Sequence, residues 1–161
     1  LCTVIRPASN PFRLLKILKK LIKIWDDMGN NPTKALSDSK DVEKESISIS
    51  FTKGILDARL YQGWCLIFLS KLKEAIEILT DLSGNYSQEE ENEEYITVLN
   101  GLGVAYNDLG DYNNAFYYYS LSLKISRKAN FKNRELTVLN NMGTFFLEKK
   151  YYDKALLNLL S

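Results

Sequence analysis

Few residues in this chain are equipped for chemistry, and their spacing rules out most of it. The 161 residues contain no histidine and only two cysteines, Cys2 and Cys65. Without imidazole there is no Ser-His-Asp or Cys-His nucleophile system, no histidine general base and no histidine-containing zinc site. Two cysteines cannot form a cysteine-rich metal site. They are also too few and too far apart for a secreted disulfide scaffold, so they read as reduced thiols of a cytoplasmic protein. Asp26 and Asp27 are adjacent in sequence rather than converging on one point. Gly101-Leu102-Gly103 is no nucleotide fingerprint, because no strand precedes it, and no phosphate-binding loop occurs. The expectation is a non-enzyme with no cofactor and no metal site.

The remaining polar and aromatic groups suit binding better than catalysis. Asn100 and Asn107 are seven residues apart and share one face of a helix. An asparagine amide donates and accepts at once, so it can hold a peptide backbone whatever the peptide's side chains, or simply be solvated on an exposed helix surface. The acidic run Glu89-Glu90-Glu91, with Glu93 and Glu94, could dock a basic partner, although at the start of a helix it is more economically explained by the positive end of the helix dipole. The aromatic run Tyr117-Tyr118-Tyr119, with Tyr112 and Phe116, could be a recognition surface, but Tyr112, Phe116 and Tyr119 share a face by i, i+4, i+7 spacing and the run is expected to be mostly core and inter-repeat packing. Trp64 and Cys65 read as packing residues. With 21 Lys plus Arg against 20 Asp plus Glu, nothing marks a nucleic-acid binder.

Helices must position these residues. All three prolines lie within the first 32 residues, and beyond them the chain can run as long helices joined by short Gly, Asn and Asp turns. The segments predicted are Pro11 to Met28, Thr33 to Ser46, Thr52 to Leu69, Leu72 to Leu82, Glu90 to Leu109, Tyr112 to Ala129, Lys132 to Glu148 and Tyr152 to the end. Ser70 and Asp111 stand as candidate caps of the helices that follow them. No stretch reaches the roughly 20 apolar residues that a membrane span needs. The first segment places Leu14, Leu15, Leu18, Leu21, Ile22 and Trp25 at helical spacing among Arg13, Lys16, Lys19, Lys20 and Lys23. Such a basic amphipathic helix could touch an anionic membrane or a partner, although packing on the next helix is the ordinary use of such a stripe.

An internal repeat organises these helices. Gly63, Gly103 and Gly143 recur every 40 residues, each followed 12 residues later by Ala75, Ala115 or Ala155. Leu99 aligns with Leu139, Leu102 with Met142, Tyr106 with Phe146 and Tyr112 with Tyr152; Phe51 aligns with Phe131 two periods on. One period before Ala75 stands Ala35, with Lys23 in place of the glycine. Glycine inside a helix costs about 1 kcal/mol relative to alanine, so its recurrence needs an offsetting gain, which close approach of neighbouring helices supplies. A single helix hairpin cannot bury its apolar side, whereas stacked hairpins bury a continuous core.

Those residues resemble the tetratricopeptide repeat. Leu99, Leu102, Gly103 and Tyr106, then Gly110-Asp111-Tyr112, Ala115 and Tyr119, match its pattern best. Leu139, Met142, Gly143, Phe146, Tyr152, Ala155 and Leu159 repeat it, and Gly63, Leu72, Ala75 and Leu79 repeat it more weakly. The period of 40 exceeds the family's 34, and longer helices are the simplest account. The resemblance implies an all-α superhelix of antiparallel hairpins: a degenerate one over 1–50, then three over about 55–82, 95–129 and 134–161, the last incomplete. The chain thus reads as a piece of a longer solenoid.

The resemblance also implies a function. First helices of such hairpins line a concave groove that takes a protein or peptide ligand. Carried over, the groove positions are Asn100, Val104, Asn107 and Asp108, then Asn140, Asn141, Thr144 and Glu148. Trp64 falls on one as well, which opens the alternative of an apolar pocket around Trp64, Ile67 and Phe68. The lysines and arginines of a terminal-carboxylate clamp are missing from these positions. Extended units of this sort resemble those of bacterial sensory and regulatory proteins. The expected function is a non-catalytic interaction module in signal transduction. Alternatives are an effector-binding sensor fused to a cyclase, kinase or DNA-binding output domain, and a self-assembling scaffold. A homodimer and surface contact by the basic N-terminal helix complete the partner expectations.

Overall fold

Turns spaced 20 residues apart set the architecture. In the computed structural model, Ser50, Ser70, Gly110 and Asn130 each take a left-handed backbone, with φ of 55°, 56°, 82° and 57°. At each, the following residue's N–H reaches back five residues: Phe51 to Ser46, Lys71 to Leu66, Asp111 to Tyr106 and Phe131 to Ser126, all at 2.9 Å. This is the helix-ending motif in which a left-handed residue lets late amides satisfy the last free carbonyls. Helices of 17 residues separated by three-residue links produce the 40-residue period: α2 (Pro32–Ser48), α3 (Thr52–Phe68) and α6 (Tyr112–Lys128). Longer helices therefore account for the departure from 34.

The structure describes residues 11–86 and 92–160, with the side chains of 151–160 left aside. Besides those three helices it contains α1 (Pro11–Asp27), α4 (Leu72–Ser83), α5 (Glu93–Asp108) and α7 (Lys132–Leu160). The described residues are all-α, and no helix among them is long and apolar enough to cross a membrane. Two compact units divide the chain, Leu1–Lys71 and Leu72–Ser161. The division falls inside the hairpin expected over about 55–82.

In the first unit α1 packs on α2 and α3, and α2 on α3. Ile17, Leu21 and Ile24 of α1, with Met28 just beyond it, meet Ala35, Val42, Ala58 and Cys65 in one core, with Phe51, Tyr61 and Trp64 against it. Ala35 is buried as its place in the repeat requires. Gly54 admits no side chain: a Cβ there would stand 2.4 Å from the Phe51 ring and 2.6 Å from Ser46 Oγ. In the second unit α5 packs on α4, α6 and α7, and α6 on α7. Tyr95, Ile96, Leu99, Ala115, Tyr119, Ile125, Val138 and Phe145 form its core. Ser122 Oγ donates to the Ile96 carbonyl at 3.0 Å, joining α6 to α5 inside it.

Local sequence explains most boundaries. Asn31, Asn92 and Asp111 cap α2, α5 and α6 by accepting from the N–H of Lys34, Tyr95 and Asn114. Ser70 has a different role from the one expected: it is the left-handed residue that ends α3. A second correction concerns the C-terminal end. Separate helices were expected over Lys132 to Glu148 and from Tyr152, but α7 is one helix of 29 residues. In the 20-residue frame Lys150 stands where Gly110 turns the chain, and lysine favours the helix over a left-handed turn.

Candidate functional site

Three polar contacts tie α5 to α7, each between residues 41 apart. Arg134 Nε donates to Glu93 Oε1 at 2.9 Å, Asn141 Nδ2 to Asn100 Oδ1 at 3.0 Å, and Asn107 Nδ2 to Glu148 Oε2 at 2.7 Å. On each helix the partners are seven residues apart, about 10.5 Å along the axis. The constant offset means that the two helices run parallel, one face of each turned to the other. The sequence thus placed Asn100 and Asn107 correctly on a shared face but not their use. Asn100 is buried and its acceptor is taken by Asn141. Its role is to hold α7 against α5.

The ladder's last rung is the most polar part of the face. Asn107 Oδ1 is buried and accepts no hydrogen bond among the described residues. Asp108 lies beside it, its carboxyl pushed above the usual range by burial and by the nearby Glu148 carboxylate, against the lowering effect of a hydrogen bond from Asn107. Neither carboxylate has an ion-pair partner among the described residues. Both also raise the pKa of the buried Tyr119 phenol, whose first cause is burial. Asn140 and Thr144 are exposed on α7, and the Thr144 hydroxyl donates to the Asn140 carbonyl at 3.3 Å. Val104 is half-buried against the unit's core.

Other expected residues divide by use. Gly103 is indispensable to packing, because a Cβ there would sit 2.5 Å from Tyr119 Cδ1 and 2.6 Å from Cε1. The close neighbour is the Tyr119 ring rather than the helix backbone at Ala115, although Ala75 and Ala115 are fully buried. Gly63 is buried in α3. Gly143 has no such role here: a Cβ would meet nothing within 4 Å. Its expected partner Ala155 lies further along the same helix, and the Ala155 side chain is outside what is described. Tyr119 is core as expected, but Phe116 and Tyr117 are exposed. Trp64 leans on Phe68, ring centroids 6.2 Å apart, with its indole N–H buried and without an acceptor among the described residues. Cys65 is fully buried and its thiol is pushed up to about 11 by desolvation, which leaves it inert. Cys2 lies outside the described residues.

Sequence reasoning missed Glu93 and Arg134. Their signal was present as a heptad, 93, 100 and 107 on α5 against 134, 141 and 148 on α7. It was hidden because the pairs are offset by 41, one more than the repeat itself. The acidic residues at the start of α5 therefore do more than complement the helix dipole. Among the described residues no group of three or more acidic or cysteine side chains is placed to hold a metal ion.

A family model described as tetratricopeptide repeat matches residues 94–160, the stretch that runs from α5 to the end of α7. No curated protein and no solved structure matches the chain.

Proposed function

From a chain that belongs, through residues 94–160, to the tetratricopeptide repeat family, we propose that the α5–α7 face of the second unit receives an extended partner segment bearing a basic side chain. Repeats of this family mediate protein–protein interaction and are typically non-catalytic. The observation that carries the reading is the final rung: the exposed Asp108 and Glu148 offer carboxylate acceptors with no cation opposite them among the described residues. A lysine ammonium or arginine guanidinium there would relieve the repulsion between the two carboxylates. Asn140 and Thr144, exposed alongside, offer further polar contacts for a peptide backbone. The 40-residue period resembles that of bacterial sensory and regulatory proteins, which supports a place in the cytoplasmic regulatory part of a signalling protein.

Fluorescence anisotropy with two labelled decapeptides, one lysine-rich and one glutamate-rich, tests the reading. The lysine-rich peptide should bind, and Asp108→Asn with Glu148→Gln should weaken it at least about tenfold, the loss of one charge-assisted contact. Equal affinity of the two peptides, or a double variant that binds like the parent, would overturn it.

A further inference from the structure

We propose that the outer face of α1 is a docking surface for an anionic lipid bilayer. The chain carries a net charge of only +1, yet residues Pro11 to Trp25 hold five basic side chains and no acidic one. Ile17, Leu21 and Ile24 turn one side of α1 into the core of the first unit. The other side is not what a solvated helix surface needs to be, because Leu15 is 51% and Ile22 64% exposed, with Phe12 exposed at the helix start. Seven residues apart, Leu15 and Ile22 lie on one line of the helix, and Lys16, Lys19 and Lys23 stand beside and between them.

Lys20 pairs with Glu45 across to α2, but Arg13, Lys16, Lys19 and Lys23 have no ion-pair partner among the described residues. An apolar strip flanked by free lysines is the pattern of a helix lying in the plane of a membrane interface. The apolar residues enter the acyl boundary while the lysine stems lie along it and raise their ammonium groups to the phosphates. A groove on an acidic protein fits less well. Helix-in-groove recognition surrounds much of the helix, and α1 is already held along its inner side by α2 and α3. Only a shallow outward strip is left, which suits a flat surface.

The chain carries its own reporter. Trp25 is partly exposed at the edge of this face, 5.6 Å from the Tyr61 ring, and Trp64 is the other tryptophan. In the full chain with Trp64→Phe, fluorescence should shift to the blue on adding phosphatidylcholine vesicles that contain phosphatidylserine, but not on adding phosphatidylcholine alone. Co-flotation with the anionic vesicles should weaken as salt screens the attraction. Lys16→Glu, Lys19→Glu and Lys23→Glu together should reduce partitioning at least about a hundredfold, since each charge contributes to surface attraction. Leu15→Ser with Ile22→Ser should reduce it with the charges intact. All five positions are on the outer surface of α1, and an unchanged thermal unfolding curve confirms that each variant folds. Binding that is equal for neutral and anionic vesicles, that survives the triple reversal, or that is absent altogether would overturn the proposal.

Discussion

Glycine-to-alanine substitution at two equivalent positions of the repeat should have opposite effects on stability. At both Gly103 and Gly143 alanine gains about 1 kcal/mol of helix propensity. At Gly143 nothing within 4 Å opposes the new methyl, so the gain stands. At Gly103 the methyl would sit 2.5 Å from the Tyr119 ring, about 1 Å inside ordinary carbon–carbon contact. Tyr119 cannot easily give way, being 2% exposed and edge-on to Phe145 with ring centroids 6.0 Å apart. The upper end of the overpacking range, about 3 kcal/mol, then applies, leaving a net loss of about 2 kcal/mol. In thermal unfolding followed by circular dichroism, Gly103→Ala should lower the midpoint by about 4–8 °C and Gly143→Ala raise it by about 2–4 °C. Tyr119→Leu in the Gly103→Ala background should cost less than the two single changes summed, because it removes the clash. A stabilised Gly103→Ala, or two substitutions of the same sign, would refute the assignment of Gly103 to the Tyr119 contact.

Three further outcomes follow from the same structure. Asn100→Ala should destabilise by about 1–2 kcal/mol in urea unfolding, since it leaves the Asn141 amide without its buried acceptor, whereas Asn140→Ala should stay within about 0.5 kcal/mol. Hydrogen bonds from Asn114 hold the Asp111 carboxyl below its usual range, so its contribution is present at neutral pH and is lost as pH falls through that lowered value. Asp111→Ala should therefore lower the unfolding midpoint at neutral pH and matter little in strong acid, while Asp111→Asn keeps an acceptor and restores much of the neutral-pH stability. With Cys2 replaced by serine, Cys65 should react with a thiol reagent at neutral pH only as fast as its surroundings open, because burial raises its thiol to about 11. Labelling as rapid as that of the unfolded chain would show Cys65 to be accessible.

How much could be read in the sequence differs between backbone and side chains. Most helices were legible because the apolar spacing and the Asn, Asp and Gly links mark them locally. The break expected near residue 150 was not, because a likeness to the preceding repeat outweighed the plain helix preference of Lys149 and Lys150. Asn100 and Asn107 could be placed on a face, but the sequence could not say that α7 would come alongside and take their amides. Nor could it separate Gly103 from Gly143, since the difference lies in what each faces rather than in either residue.

The sequence by itself determined the class of the molecule and its rhythm. An all-α chain without histidine, with helices joined by short Gly, Asn and Asp links and small residues every 40, follows from local propensity and composition. Those properties depend on neighbours a few positions away, which any reading of the chain contains. Tertiary structure alone decided which polar groups are spent and which remain for a ligand. The 41-residue rungs bury one asparagine and leave Asp108 and Glu148 exposed without a cation among the described residues, and packing of α1 on α2 and α3 leaves four of its basic side chains without an ion-pair partner among them. Side-chain partners belong to the packed pair of helices, and that register is set by the summed fit of the interface rather than by any one residue.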